Sequence, residues 1–220
     1  MHPADEARVL TLARSRPEGD RQSVVLNESP HAVTRVLAPG ATGEGDDAWF
    51  VIPASDADGA RVRLVTMPAP GAEAPGMVLA YRSLTPATAP APPQGRVEVE
   101  RATVTGNAFK VLFESPRAAA ALLSIAGSRS VDVGPESERT WVVLAGRGLV
   151  FLQHDTTLPI KPGDVAIVPP GEPARLWARG PEDLHVLVLQ PQAPPVKRRT
   201  LLTEVLRLRD KERNVSGAGF

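Results

Sequence analysis

Short apolar segments separated by turn residues recur through most of this chain. In the first half they are SVVLN (23–27), AVTRVLA (32–38), AWFVIPA (48–54), ARVRLVTM (60–67) and GMVLAYRSL (76–84). In the second half they are RVEVERATVT (96–105), AFKVLFE (108–114), AAALLSIA (119–126), SRSVDVG (128–134), TWVVLAGRGLVFLQ (140–153), LPIKPGDVAIVPP (158–170), ARLWA (174–178) and LHVLVLQ (184–190). The 23 prolines and 18 glycines favour turns over long helices. This pattern predicts an all-β sandwich or barrel.

The segment TPATAPAPPQG (85–95) interrupts the pattern. Its prolines favour extended backbone and cannot join the interior of a sheet, so we interpret it as a linker. The expected organisation is an N-terminal arm (1–19), a first β unit (20–84), the linker, and a second β unit (96–190). Whether the first unit forms a barrel of its own or extends the second is left open.

The last part of the chain (191–220) has a different pattern. Within TLLTEVLRLRDKER (200–213), spacing of three and four residues predicts an amphipathic helix with one apolar side. Its apolar residues are Leu201, Leu202, Val205, Leu206 and Leu208. This side either packs on the chain's own barrel or on a dimer mate, or it docks another protein.

Charge and composition exclude several classes of function. The formal net charge is zero, so no general attraction to nucleic acid or to an anionic membrane is expected. The chain has no cysteine, which excludes disulfides, thiolate metal sites and cysteine nucleophiles. No secretory signal pattern and no long apolar run are present, so we expect a cytoplasmic protein.

Two stretches of the second unit share a frame of glycines and proline. In GSRSVDVGPESERTWVVLAG, Gly127 opens the stretch and Gly146 closes it. In GDVAIVPPGEPARLWA, Gly163, Pro169 and Gly171 follow at fixed spacing, and both glycines are expected to adopt a positive φ at tight corners. This frame resembles the two motifs of the cupin superfamily, and the resemblance implies a jelly-roll barrel.

The resemblance covers roughly residues 97–190. The same stretch is also similar to the C-terminal barrel of type I mannose-6-phosphate isomerases, which is the non-catalytic barrel of those enzymes. With a degenerate first unit, the chain as a whole would be bicupin-like, and the resemblance implies a homodimer that pairs through edge strands.

The metal-ligand positions implied by the cupin motifs hold unsuitable residues. The first two histidine positions fall on Val133 and Pro135, the glutamate position on Arg139 and the third histidine position on Ala174. Valine, proline and alanine have no side-chain donor atom, and arginine is permanently cationic. The expectation is therefore a degenerate cupin that holds no metal and no cofactor.

Strand alternation suggests which residues face the barrel interior. If Arg139 points inward, Trp141 and Val143 do so as well. The other positions assigned to the interior are Val165, Ile167, Ala174, Leu176 and Ala178. A buried arginine needs a partner, which is either a carboxylate of Glu114, Glu136 or Glu138, or an anionic ligand.

Four residues are candidate ligand contacts: Arg139, Trp141, Leu176 and His185. His185 is the one histidine expected on a strand of the second unit, and no catalytic residue is assigned. Trp141 and Trp177 either stack on a sugar-like or planar ligand, or serve as core fillers or dimer contacts.

Three functions fit this pattern. The first is a metal-free, non-catalytic small-molecule binding, regulatory or scaffold module, with a small anionic or sugar-like ligand. The second is a metal-independent sugar or sugar-phosphate isomerase or epimerase, for which His185 is the available base. The third is an assembly protein that docks a partner through the C-terminal helix.

Overall fold

The computed structural model describes residues 7–15, 17–19, 21–30, 32–38, 41, 48–52, 61–66, 77–84, 95–100, 104–114, 118–134 and 138–191. Within these residues the chain forms β-strands and two short 3₁₀ turns, Leu12–Ser15 and Gln153–Asp155. The strands of the N-terminal part are β1 (Arg8–Thr11), β2 (Ser23–Glu28), β3 (Ala32–Leu37), β4 (Ala48–Ile52), β5 (Arg61–Thr66), β6 (Met77–Ser83) and β7 (Gly95–Glu100). Those that follow are β8 (Ala108–Glu114), β9 (Ala118–Ile125), β10 (Ser130–Val133), β11 (Arg139–Ala145), β12 (Gly148–Phe151), β13 (Thr157–Ile160), β14 (Asp164–Val168), β15 (Ala174–Ala178) and β16 (Leu184–Pro191).

The strands form three antiparallel sheets. Sheet I has the order β1-β14-β11-β16-β9-β8, and sheet II has the order β10-β15-β12-β13. Sheet III, in the N-terminal part, has the order β2-β3-β6-β4-β5-β7. The protein is therefore all-β, as the sequence pattern predicted.

Sheets I and II enclose the first of two large apolar clusters, which we call the barrel core. Its buried members are Leu123, Ile125, Val131, Trp141, Val143, Val150, Ile160, Ala166, Val168, Ala174, Leu176, Ala178, Leu184 and Val186. Because they come from facing strands of both sheets, the second unit is a cupin-like jelly-roll barrel.

The second large cluster lies between sheet III and the outer face of sheet I, and we call it the inter-sheet core. Its buried members are Leu12, Leu26, Ala32, Val36, Leu79, Tyr81, Val104, Leu112, Ala118, Ala120, Leu122, Val142, Val165, Ile167, Leu187 and Leu189. Sheet I is thus buried on both faces, which explains why every residue of β9 and β14 is buried and most are apolar.

The N-terminal arm contributes a strand to the barrel, which its polar composition did not predict. Strand β1 pairs with β14, and the backbone N–H of Leu12 donates to the carbonyl of Gly163 at 2.8 Å. The Thr11 hydroxyl donates to Oδ1 of Asp164 at 3.0 Å, and Asp164 is buried. The arm therefore covers the open edge of sheet I.

Thr11→Val tests this attachment. The substitution keeps the side-chain shape but removes the hydroxyl donor from a buried carboxylate, so we expect the free energy of unfolding to fall by about 1–2 kcal/mol. Chemical denaturation of both proteins measures the difference. An unchanged midpoint would mean that the hydroxyl contributes nothing to holding the arm.

The position of β7 differs from the expected organisation. Residues 96–105 were assigned to the second unit, but β7 pairs with β5 over six residue pairs from Arg61↔Glu100 to Thr66↔Gly95. It is therefore the edge strand of sheet III. The alternating pattern of RVEVE identified a strand, but local sequence does not specify its partner.

The C-terminal helix predicted over 200–213 lies outside the described residues, as does the linker apart from Gly95. Among the residues that are described, no helix is long and apolar enough to cross a membrane. Gly163 and Gly171 have φ values of 84° and 87°, which confirms the backbone role predicted for them.

At one end of the barrel, which we call the turn end, the side chain of Asp183 accepts several hydrogen bonds. Its carboxylate accepts the backbone N–H of Gly106 at 2.8 Å and that of Gly127 at 3.3 Å. It also accepts the hydroxyl of Ser124 at 3.4 Å. One side chain therefore links the chain around Gly106, the end of β9 and the residue before β16 at this end of the barrel.

Candidate functional site

At the opposite end of the barrel, which we call the loop end, two connections join strands of sheet I to strands of sheet II. Residues 134–138 connect Val133 at the end of β10 to Arg139 at the start of β11. Residues 169–173 connect Val168 at the end of β14 to Ala174 at the start of β15. Val133 pairs with Ala174, and Arg139 pairs with Val168. Three of the four metal-ligand positions therefore meet at this end, and the fourth, Pro135, lies outside the described residues.

The side chains at these positions do not fit a metal ion. Ala174 belongs to the barrel core and Val133 packs against it, so both face the interior with hydrocarbon groups. The position of the motif glutamate holds Arg139, whose guanidinium is a cation. Across the described part of the chain, no group of three or more histidine, aspartate or glutamate side chains could hold a metal.

Arg139 lies deep in this apolar end of the barrel. Only 1 % of its surface is exposed, and it alternates along β11 with Trp141 and Val143, which both belong to the barrel core. Alternation therefore directs the Arg139 side chain into the interior, on the same face as the Trp141 indole. A guanidinium in such surroundings requires a compensating negative charge.

Several other positions assigned to the interior are there. Ala174, Leu176 and Ala178 alternate along β15 and all belong to the barrel core, with Leu176 fully buried. The assignment of Val165 and Ile167 was wrong, because both belong to the inter-sheet core on the other face of sheet I. All of β14 is buried and residues 165–168 are apolar, so no polar residue among them marks which side faces the barrel.

His185 does not face the interior, contrary to the assignment from sequence. On β16, Leu184 and Val186 belong to the barrel core, so His185 between them points to the opposite face. It pairs there with Ser124 of β9 and is 8 % exposed. The strand was identified from its sequence, but which of its faces meets the interior was not.

A buried polar chain that the sequence did not reveal connects the barrel to sheet III. The Asn27 side-chain amide donates to Oε1 of Glu138 at 2.7 Å, and Nη2 of Arg8 donates to Oδ1 of Asn27 at 3.0 Å. Asn27 is 2 % exposed and Glu138 is 3 % exposed. These hydrogen bonds therefore link the N-terminal arm and sheet III to Glu138, the residue next to Arg139. Asn27 gave no signal because it ends an ordinary apolar strand pattern.

Trp177 lies outside the barrel, on the outer face of sheet II. Its ring centroid is 6.3 Å from that of Phe151, with the planes tilted by 47°. On the same face Nε of Arg175 donates to Oδ1 of Asp132 at 2.6 Å. The hydrogen bond to Asp132, followed by the carboxylate charge, raises the pKa of Arg175, and slight burial opposes this. Trp177 is therefore not a contact for a ligand in the interior.

A model of the AraC-like ligand-binding domain family matches residues 141–208, which is about a third of the chain. Comparison of the sequence with curated proteins gives no match.

Solved structures of one enzyme share the overall fold with this chain. A variant of salicylate 1,2-dioxygenase from Pseudoaminobacter salicylatoxidans, in complex with gentisate, is similar with a TM-score of 0.58 and 14 % identity over 88 % of this chain and 84 % of that chain. Another structure of a salicylate 1,2-dioxygenase from this organism gives a TM-score of 0.59 and 13 % identity, over 88 % of this chain and 86 % of that chain. At this identity the likeness concerns the fold. Together with the glycine and proline frame and the barrel, these findings show a cupin-type jelly-roll fold and support membership of the cupin superfamily.

Proposed function

We propose that this protein is a metal-independent, non-catalytic cupin that binds one small anionic molecule in its barrel. The observation that carries the proposal is the Arg139 side chain, a cation at the loop end that points into an apolar interior. Arg139 occupies the position where the motif of the superfamily has a metal-ligand glutamate. A cation fixed there attracts a carboxylate or phosphate of a ligand without a metal.

The surroundings of Arg139 define the kind of ligand that fits. Trp141 lies two residues along β11 on the same face, and the other buried members of the barrel core are aliphatic. The site thus combines one guanidinium, one indole and hydrocarbon side chains. This combination suits a molecule with one acidic group and an apolar, preferably planar, body. A phosphorylated sugar would leave several hydroxyl groups without partners among these aliphatic residues.

The comparisons support binding at this location. The matched family is described as a ligand-binding domain, and the matched residues begin at Trp141 and include β14, β15 and β16, which line the interior. One of the similar structures contains gentisate, which carries a single carboxylate on a planar ring. Gentisate, salicylate and benzoate are therefore suitable probes.

Thermal unfolding in the presence of these carboxylates tests the proposal. We expect benzoate, salicylate or gentisate to raise the Tm, and neutral benzamide, which has nearly the same shape as benzoate, to leave it unchanged. Native mass spectrometry of the purified protein should also detect a bound acidic molecule. If no carboxylate and no phosphate raises the Tm, the proposed function is wrong.

Arg139→Gln provides the matched variant. Glutamine keeps hydrogen-bonding groups but removes the charge, and a charge-assisted bond is worth about 1.5–3 kcal/mol. We therefore expect the Kd for the carboxylate that binds the native protein to rise about tenfold to hundredfold. Isothermal titration calorimetry measures this change, and circular dichroism checks that the variant is folded. An unchanged Kd would exclude Arg139 as the anchor.

The isomerase or epimerase alternative is not proposed, because it required His185 as a base in the interior and that side chain points to the opposite face. A homodimer and a cytoplasmic location remain predictions from the sequence.

A further inference from the structure

The outer face of sheet II carries a group of partly exposed apolar side chains, which we call the outer patch: Leu149, Phe151, Pro159 and Trp177. Leu149 pairs with Pro159 on one side and with Trp177 on the other, so three strands contribute to one row. Phe151 is 36 % exposed and lies next to Trp177. The patch therefore includes two aromatic rings that contact each other at the surface.

Charged residues border the outer patch on one side. Phe151 pairs across the strands with Arg175, and Arg175 pairs with Asp132. The side chains of Arg175 and Asp132 are 56 % and 54 % exposed. An apolar area with a charged border is typical of a surface that another segment or protein covers.

The other broad faces of the two barrel sheets are already covered. The inner faces of sheets I and II meet in the barrel core, and the outer face of sheet I packs against sheet III. The outer face of sheet II has no such cover within the described part of the chain. Among the described residues, the other exposed large apolar side chains are Val25 and Leu84. Val25 lies on β2 of sheet III and Leu84 follows β6, so neither belongs to the outer patch.

The sequence contains a segment whose apolar side matches this need. Residues 200–208 carry the leucine and valine side described above. They follow Pro191, the last residue of β16, after a connection of eight residues (192–199). The family match extends from residue 141 to residue 208, so its range includes this segment together with the barrel strands.

The connection is also long enough. The nine residue steps from position 191 to position 200 span up to about 30 Å when extended. Packed sheets lie about 10 Å apart, so the chain can pass from the end of sheet I to the outer side of sheet II. Residues 194 and 195 are both proline, a residue type that favours extended backbone.

We propose that residues 200–208 dock on the outer patch of the same chain, with Leu202, Val205 and Leu206 against Phe151 and Trp177. The segment then completes the fourth layer of the domain: sheet III, sheet I, sheet II and the C-terminal segment. This inference is independent of any ligand in the barrel.

Site-specific crosslinking tests the docking directly, because the native chain contains no cysteine. We would prepare the full-length double variants F151C/L202C and F151C/V205C and treat each with a short bis-maleimide. The expected product is an internally linked monomer, and its yield does not depend on protein concentration. A product of dimer mass would instead assign the patch to a second copy and overturn the proposal, as would the absence of product in both variants.

The matched control is V25C/L202C. Val25 is 50 % exposed on sheet III, so its thiol is accessible but lies on another sheet. We expect no linked monomer from this pair. Equal yields for this pair and for F151C/L202C would mean that the segment contacts the surface without preference, which contradicts docking.

Tryptophan fluorescence gives a second readout without cysteine variants. Removing residues 193–220 should expose Trp177 to water, with a red shift of emission and stronger quenching by acrylamide. The same truncation in a Trp177→Phe background should lose this change, since Trp141 is 1 % exposed and Trp49, the third tryptophan, lies on β4 of sheet III. Unchanged quenching of the truncated protein would contradict the proposal.

Discussion

Replacing Gly146 with alanine is expected to lower the free energy of unfolding by about 4 kcal/mol. Gly146 joins β11 to β12 with a φ of +73°, and a side chain in this region costs about 1–2 kcal/mol. An added Cβ would also lie 2.4 Å from the backbone oxygen of Asp183 and 2.9 Å from the Cα of Leu184. Backbone atoms cannot turn aside, so the turn end must shift, at a cost of about 1–3 kcal/mol.

Gly171→Ala is the matched control for this prediction. Its φ is +87°, but a Cβ there would meet nothing within 4 Å. The control therefore retains the backbone strain and removes the steric conflict, so its cost should be about 1–2 kcal/mol. Equilibrium urea unfolding of both variants measures the difference. Equal losses would mean that the close approach to Asp183 has no energetic weight.

Replacing Asn27 with leucine should lower the free energy of unfolding by about 3 kcal/mol. The substitution removes the amide that donates to the Glu138 carboxylate and the oxygen that accepts from Arg8. Both bonds involve a charged group, and such bonds contribute about 1.5–3 kcal/mol each. Glu138 remains buried with one donor fewer, while leucine regains part of the loss through apolar burial.

Asn107→Leu is the control for the effect of burial. The Oδ1 atom of Asn107 accepts the backbone N–H of Ala126 at 3.0 Å, but this bond is exposed to solvent. Water replaces the lost partner there, so the cost should stay below about 1 kcal/mol. Differential scanning calorimetry of the two variants compares them. If Asn27→Leu were as mild as the control, the buried chain from Arg8 to Glu138 would not hold sheet III on the barrel.

The strands were predictable from sequence where turn residues bound them. ARLWA corresponds to β15 at both ends, and the glycine pair in TWVVLAGRGLVFLQ marks where the segment divides into β11 and β12. These features are local: glycine conformation, proline geometry and apolar runs act over a few residues.

The facing of individual side chains was harder to predict, for a physical reason. In β15 the exposed Arg175 separates buried neighbours, so alternation identifies the interior side. In β14 both faces are buried, and in β16 the buried His185 interrupts an apolar run, so neither pattern distinguishes the two cores. The errors for Val165, Ile167 and His185 all have this origin.

Contacts between distant segments were not predictable. The pairing of β7 with β5, the entry of the arm into sheet I and the bond from Asn27 to Glu138 each depend on tertiary structure. The metal-ligand positions were accessible from sequence because motif spacing fixes them, and the structure brings Val133, Arg139 and Ala174 to one end of the barrel. The depth of Arg139 in that end required the structure.

The pairing of β1 with β14 has a consequence for biosynthesis. Thr11 and Asp164, which the pairing brings together, are 153 positions apart. The ribosome makes the first strand early, but its partner edge is absent until most of the chain has been synthesised. Sheet III can assemble while translation continues, whereas the barrel edge closes only after release of β14. Such a long-range pairing slows folding, because the cost of closing the loop is met before the contact forms.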